Sequence, residues 1–355
     1  MRLKLNILLV TLLALLSCAK EGGGLVDYGP ETGDLCVRFD VSAMNPPILG
    51  VTQDNADPEH VLSGESDGKM MIGRMWLVDK NNNNNVVVFR KTEENNSNSR
   101  VQTFTNIKRG EYTLYILLNS TDLDEFTEGK KIDESFMQKC LAVIDAGASP
   151  EYTVESGVPC SIVKDVAIAA GNNNVDVSLQ RCVGRLTVVV LNNIHDCKLA
   201  IGGIGLSAVN PSTGYYFPQS DGSVPDYTGL TFHDLDYINP VVLPPSKNKI
   251  IFDRYVYETK DIPEGLSFRL FGAVYGGDKV PSISGTSFVA PDKVLPNDEI
   301  KINYIDDYGV SKLLTRIKRN EHVTVSINVS YDREYMQFGF TVKAWMTKDN
   351  STTFD

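Results

Sequence analysis

Gly64-Glu65-Ser66-Asp67-Gly68 has the G-x-S-x-G spacing of a hydrolase nucleophile elbow, where a strained turn lifts a serine toward substrate. That chemistry needs a strand before the motif and a helix after it. Here an Asp/Glu/His-bearing polar loop precedes it and the strand-like "MMIGRMWLVD" follows, so a surface loop is expected. His195-Asp196-Cys197 offers two metal ligands two residues apart, on one face of a strand. Structural zinc takes four ligands, usually in recognisable pairs, and His60, His233 and His322 are scattered, so no metal centre is predicted. Asp122 and Asp124 open a polar stretch of helical character, where acids complement the helix dipole. No calcium-loop pattern surrounds them, and no glycine-rich phosphate loop with its lysine occurs. The expectation is no catalytic residue, no metal, no cofactor and no enzymatic activity.

Leu15-Leu16-Ser17-Cys18 carries a different chemistry. Arg2 and Lys4 form a positive start, Leu5 to Leu16 an apolar run, and Ser17 a small residue at a cut site, which is secretory-signal anatomy. A helical membrane span needs roughly 20 apolar residues, and this run has about a dozen. The four residues resemble the bacterial lipobox, in which the chain is cut before the cysteine and the thiol is acylated. Two or three acyl chains, at about 0.8 kcal/mol per buried methylene, hold a protein on a membrane where one chain does not. Cys18 is the predicted lipid attachment site, and Ser17 and Cys18 flank the predicted cut. Residues 1–17 are then signal peptide and residues 18–33 a tether, made flexible by Gly22–Gly24. Extended, the tether reaches about 50–60 Å.

A length of 355 residues fits two domains or one large one, and 42% apolar content is enough for real cores. The formal net charge is −11, and it becomes more negative when Arg2 and Lys4 leave with the signal. No Lys/Arg block occurs, which argues against a nucleic-acid partner or adhesion to anionic lipid through charge. Export permits disulfides. The cysteines left beside Cys18 (Cys36, Cys140, Cys160, Cys182 and Cys197) are odd in number and none lies in a CxxC. Their pairing stays open, with small buried hydrophobes as the alternative.

The elements that would position these residues are strands. In "GDLCVRFDVSA", Leu35, Val37, Phe39 and Val41 alternate with Cys36, Arg38 and Asp40, the period of a half-buried strand. "RMWLVD" and "VVVFRK" flank "KNNNNN" as a hairpin whose asparagines tolerate left-handed backbone. "FTNIKRGEYTLYILLN" reads as strand, turn at Arg109-Gly110, and strand from Tyr112 to Leu118. "DLDEFTEGKKIDESFMQKCLAVIDAG" is the one helical stretch, broken at Gly129. Strands return on both sides of a turn at Gly171–Asn174, and Val323, Val325, Ile327 and Val329 alternate cleanly later on. The chain closes with "QFGFTVKAWM", where Phe338, Phe340, Val342 and Ala344 share a face. The expected fold is all-β: two β-sandwich domains, 34–180 and 181–355, with one short helical insertion in the first.

Several strand phrases, in order, resemble the FimB/Mfa-type fimbrial anchor family, the minor fimbrial subunit lipoproteins of Bacteroidales type V pili. "DLCVRFDV" after a short tail is similar to the family's opening. "RMWLVDKNNNNNVVVFRK" resembles its hairpin, and "IKRGEYTLYILLN" its l-p-G-x-Y-t-l strand, with Gly110 and Tyr112 in the matching places. "GNNNVDVSLQRCVGRLTVVV" resembles its domain junction; "IKRNEHVTVSINV" and "FTVKAW" resemble its closing strands. Arg109 stands where the family often has proline. Lys20-Glu21 loosely resembles the charged signal that sends Bacteroidetes lipoproteins to the cell surface.

The resemblance implies transthyretin-like sandwiches, shaft or accessory pilin subunits as partners, and assembly by β-strand addition. It also implies that shaft pilins lose a first strand to an arginine-specific protease. In this chain no arginine lies between Cys18 and Asp34, and the first one after the signal is Arg38, inside the first strand. The lipid is therefore expected to stay attached, which favours an anchor held to the outer membrane and exposed at its surface. The rival readings are a fimbrial tip or accessory adhesin, with Pro211–Pro225 ("STGYYFPQSDGS" within it) as ligand loop, and a surface glycan-binding lipoprotein. The latter would need exposed aromatics, and the two tryptophans, Trp76 and Trp345, both fall in strands.

Overall fold

The computed structural model describes residues 31–41, 73–92, 99–120, 123–141, 157–207, 213–225, 232–277, 279, 291–305, 308–332 and 337–346. The N-terminal half runs β1 (Thr32–Val41), β2 (Gly73–Asp79), β3 (Asn85–Thr92), β4 (Ser99–Lys108), β5 (Gly110–Leu118), α1 (Glu134–Met137), β6 (Cys140–Leu141), β7 (Cys160–Ile168) and β8 (Gly171–Arg181). Seven of these strands pair in the order β3-β2-β5-β7-β8-β1-β4. The ladder between β7 and β8 is confined to Cys160↔Arg181 and Ser161↔Gln180. Beyond that corner β7 follows β5 and β8 follows β1, so the strands part into two layers. Between the layers lie Leu35, Val37 and Phe39 of β1, Leu114 and Ile116 of β5, and Val177 and Leu179 of β8. This sandwich-like, almost wholly β arrangement follows from the period-two patterns: Leu35, Val37 and Phe39 are buried while Arg38 and Asp40 are exposed.

Three expectations meet their geometry here. The β2–β3 turn places Asn83 and Asn84 at φ +57° and +56°, the left-handed region that asparagine tolerates, and Asp79 Oδ1 accepts from Asn81 N at 2.9 Å. The turn expected at Gly171–Asn174 instead falls at Ala169–Ala170. Gly171–Asn174 belong to β8 and pair with Gly33–Cys36, because the Asn173 amide ties Ala169 O, Gly171 O and Asp34 O together at 3.0–3.1 Å. The helical stretch also differs: of its described residues only Glu134–Met137 form a helical turn, capped by Asp133. The rest is turn and loop apart from the two-residue strand β6, because Phe126, Ile132 and Phe136 dock separately rather than along one helix face.

The C-terminal half runs β9 (Gly184–Asn192), β10 (Cys197–Ser207), β11 (Gly214–Tyr215), β12 (Phe232–Leu243), β13 (Asn248–Val256), β14 (Ser267–Gly276), β15 (Lys293–Val294), β16 (Ile300–Lys301), β17 (Asn303–Ile305), β18 (Ser311–Leu313), β19 (His322–Asp332) and β20 (Gln337–Met346). One sheet is β12-β10-β14-β15 with β16 beside β14, the other β13-β9-β19-β20-β17-β18. Val188, Val190, Val325 and Ile327 from one face Leu199, Ile201 and Leu270 from the other. The closing strand β20 is paired with β19 from Val323↔Met346 to Asp332↔Gln337. In this chain it fills a place in its own sheet.

A third cluster joins the halves. The outer faces of β2 and β5 contribute Trp76, Val78 and Leu117, and Cys182, Val183, Tyr216, Phe217, Tyr255 and Tyr257 close over them from the other half. β6 pairs with β11 across the same seam, at Leu141↔Gly214 and Cys140↔Tyr215.

Candidate anchoring site

Cys18 and Ser17 lie outside the described residues, as do Gly64–Gly68, His60 and Asp122. The first described residue after Cys18 is Glu31, which leads into β1. Arg109 N donates to Glu31 O at 3.0 Å, Asn106 N donates to Asp34 Oδ1 at 2.9 Å, and the Asn173 amide reaches Asp34 O at 3.1 Å. Gly33 passes so close to the β7–β8 turn that a Cβ there would stand 2.1 Å from Ala169 O. Four loops and strands thus grip the first paired residues of the chain. Arg109 is part of the grip through its backbone N–H, a donor that proline lacks.

From that grip β1 runs between two neighbours. It is parallel to β8 from Gly33↔Gly171 to Val41↔Leu179 and antiparallel to β4 from Thr32↔Lys108 to Asp40↔Ser99. β1 is therefore interior to the sheet. Arg38 sits mid-strand with its side chain 68% exposed and 3.9 Å from Asp176, an exposed pair of little energetic weight. Its backbone lies between Val101 and Asp176.

The register also fixes which end is which. β8 ends at Arg181, two residues before β9, and Arg181 N donates to Asn320 Oδ1 in the C-terminal half at 3.1 Å. Since β1 is parallel to β8, Val41 lies toward the seam and Thr32 at the opposite end of the sheet, about 30 Å away for ten strand residues. Thr32, where β1 begins, thus lies at the pole remote from the C-terminal half.

The other sequence candidates are not brought into one site. His195 is 92% exposed in a turn with Asp196 at φ +59°, whereas Cys197 is buried in the core, so the two point to different environments. Asp124 accepts from the buried Arg74 Nε at 2.5 Å and from Lys91 Nζ at 2.9 Å; the Arg74 hydrogen bond in particular holds its carboxyl below the usual range. Its charge is used to neutralise two cations. Among the described residues no group of three or more His, Cys, Asp or Glu converges as a metal site. No disulfide joins Cys36, Cys140, Cys160, Cys182 and Cys197 to one another. No described helix is long and apolar enough to cross a membrane.

The proposed ligand loop has a structural occupation. Tyr216 and Phe217 are 1% and 0% exposed, with Phe217 stacked on Phe136 at 5.0 Å. Arg319 donates to Tyr215 O and Tyr216 O, Arg316 to Gly222 O, and both arginines share Glu258. Gln219 reaches across to Met137 O at 2.8 Å. Trp76 is likewise fully buried, its Nε1 donating to Phe126 O at 2.7 Å. Sequence reasoning missed this seam: one Tyr-Tyr-Phe run in a polar stretch has no periodicity to mark it as core.

No protein-family model matches the chain, and no curated protein matches it. Solved structures do. A protein assigned to cell adhesion from Parabacteroides distasonis aligns with TM-score 0.52 at 10% identity, over 90% of this chain and 98% of its own. Another such protein, from Bacteroides eggerthii, gives 0.51 at 13% identity, over 92% and 99%. The tip fimbrial protein Mfa3 of Porphyromonas gingivalis gives 0.48 at 15%, over 88% and 100%. Identities this low speak to fold. By fold, the chain is a β-sandwich protein whose structural neighbours are Bacteroidales cell-adhesion proteins and Mfa- and FimA-type fimbrial proteins.

Proposed function

We propose that this chain is a lipid-anchored fimbrial subunit that holds a fimbria to the outer membrane at the cell surface, with transthyretin-like domains at 34–180 and 181–355. The observation that carries the reading is the junction of tether and β1. Cys18 is the acylation site of a lipobox, the tether contains no arginine, and the strand that follows it is interior to the sheet. A cut at Arg38 would remove Leu35 and Val37 and cut β1 short ahead of Phe39. Each fully buried side chain of this kind is worth about 1.5–3 kcal/mol, so losing both costs about 3–6 kcal/mol, a large share of a domain's stability of about 5–15 kcal/mol. A chain that keeps β1 keeps its lipid. The neighbours' names, cell adhesion and fimbrial tip among them, support a place in fimbriae, with pilin subunits as partners.

The N-terminus of protein extracted from the cell surface tests this. Mass spectrometry is expected to find Cys18 carrying two or three acyl chains as the first residue. A mature chain starting at Phe39 would overturn the reading. A deletion strain is expected to shed fimbriae into the medium or change their length, whereas loss of a shaft subunit abolishes them. The adhesin reading loses its best loop, since Tyr216 and Phe217 are spent on the seam.

A further inference from the structure

The geometry points to β1 as a load-bearing strand, held so that tension between tether and fimbria shears it rather than peels it. This rests on the anchoring role only for its biological use; the mechanics belong to the fold. Three observations carry it. First, β1 begins at the pole remote from the C-terminal half, so a pull on Glu31 against a load carried by that half runs along the strand. Second, β1 is flanked on both sides along nearly its whole length, by β8 and by β4. Third, the entry point is additionally fastened by Arg109 N to Glu31 O, Asn106 N to Asp34 Oδ1 and the Asn173 amide to Asp34 O.

The physical consequence follows from bond direction. Ladder hydrogen bonds lie across the strands, perpendicular in the antiparallel pair and slanted in the parallel one. An axial pull therefore loads them together, and they fail together. A pull across the strands loads only the bond at the fork, and the bonds fail one after another. Each bond contributes only about 0.5–1.5 kcal/mol net, so strength under load comes from simultaneity. The β1 side chains add to it, because sliding the strand by one residue would turn Leu35, Val37 and Phe39 out of the core and Arg38 into it. The seam supplies the other end of the load path: Trp76, Phe136, Phe217 and Tyr257 pack in one cluster, and Arg319 ties the loop to the C-terminal half.

Single-molecule force spectroscopy on the chain from Ala19 onward tests the proposal. One handle is placed at the N-terminus in every case. For shear, the second handle replaces His195, exposed in the turn after β9 at the far end of the C-terminal half. For peeling, it replaces Ala170, exposed in the β7–β8 turn at the same pole as Thr32. The first rupture in the shear geometry is expected at several times the force of the peeling geometry, and Asn173→Ala is expected to lower it. Equal forces in the two geometries, or a first rupture that releases C-terminal strands while β1 holds at low force, would overturn the proposal. Because the experiment uses unacylated protein, an unmodified Cys18 in cells would sink the anchoring role and leave this result standing.

Discussion

Single residues show how local chemistry has been turned to holding. Arg109 stands where the family it resembles often has proline, and its N–H holds Glu31. Arg109→Pro is expected to destabilise the chain by about 1 kcal/mol through that bond, and to raise hydrogen exchange at Gly33. Arg109→Gln, which keeps the N–H, is expected to stay within about 0.5 kcal/mol of the parent in denaturant titrations. His322 is a second case. Its Nε2 lies 2.7 Å from Thr187 Oγ1, whose single proton goes to Asp253 Oδ1 at 2.8 Å, so the imidazole nitrogen is the donor. Asp253 is held in turn by Arg185, at 2.8 and 2.6 Å. Burial, and then the Arg185 charge, lower the His322 pKa from 6.5 to about 4. Between those values the unfolded chain binds the proton and the folded chain does not. Stability is therefore complete above pH 6.5 and falls as pH drops toward 4, by up to about 3 kcal/mol from this residue. His322→Gln keeps a donor and removes the titration, so its stability is expected to be flat across that window in urea titrations at stepped pH.

At the scale of elements, much of the fold was legible and the exceptions share a cause. β1, the β2–β3 hairpin, the β4–β5 turn and β19 all have one face in a core and one in a more polar setting, or a turn with its own chemistry, so alternation and asparagine placed them. The stretch from Leu123 to Leu141 holds one helical turn and no more, because the polar composition and the acids Asp122 and Asp124 that read as a helix start say nothing of its apolar residues, which serve tertiary contacts. Phe136 meets Trp76 at 5.2 Å, Tyr115 at 5.3 Å and Phe126 at 5.0 Å, each edge to face. One helical turn is all that Asp133 can nucleate against that demand. The Gly171–Asn174 turn failed for a related reason: glycine and asparagine signal a turn, but which flank is the strand depends on β1, more than a hundred residues earlier. Phe136→Ala is expected to cost about 3–5 kcal/mol, the cost of a core residue rather than of a surface helix, measurable as a shift of the denaturant midpoint. Cys18 was expected from local sequence alone and lies outside the described residues. The grip around Glu31 was not expected, because backbone donors leave no mark in side-chain types.

The whole molecule depends on the seam, and its cooperativity is the property to measure. Among the described residues, sheets of the two halves share no strand beyond the two-residue β6–β11 pair, so ladder hydrogen bonding alone would let each half unfold by itself. What couples them is apolar: the cluster from Trp76 to Tyr257, with Phe217 wholly enclosed. Aromatic contacts of this kind contribute about 0.5–1.5 kcal/mol each beyond burial, and Phe217 makes three within 6.4 Å, to Trp76, Tyr115 and Phe136. The polar ties of Arg319 and Gln219 cross the seam or brace it, where water is largely excluded. Coupling of this size is comparable to the stability of one domain, so the chain is expected to melt in a single calorimetric transition with van't Hoff and calorimetric enthalpies in agreement. Phe217→Ala is expected to cost about 3–5 kcal/mol and to split that transition in two, because what it removes belongs to neither half's own core. Two transitions in the parent chain would show that the halves are not strongly coupled, and one undivided but lowered transition in the variant would show that something other than this cluster couples them. A load entering at Thr32 would then need another route to the far pole.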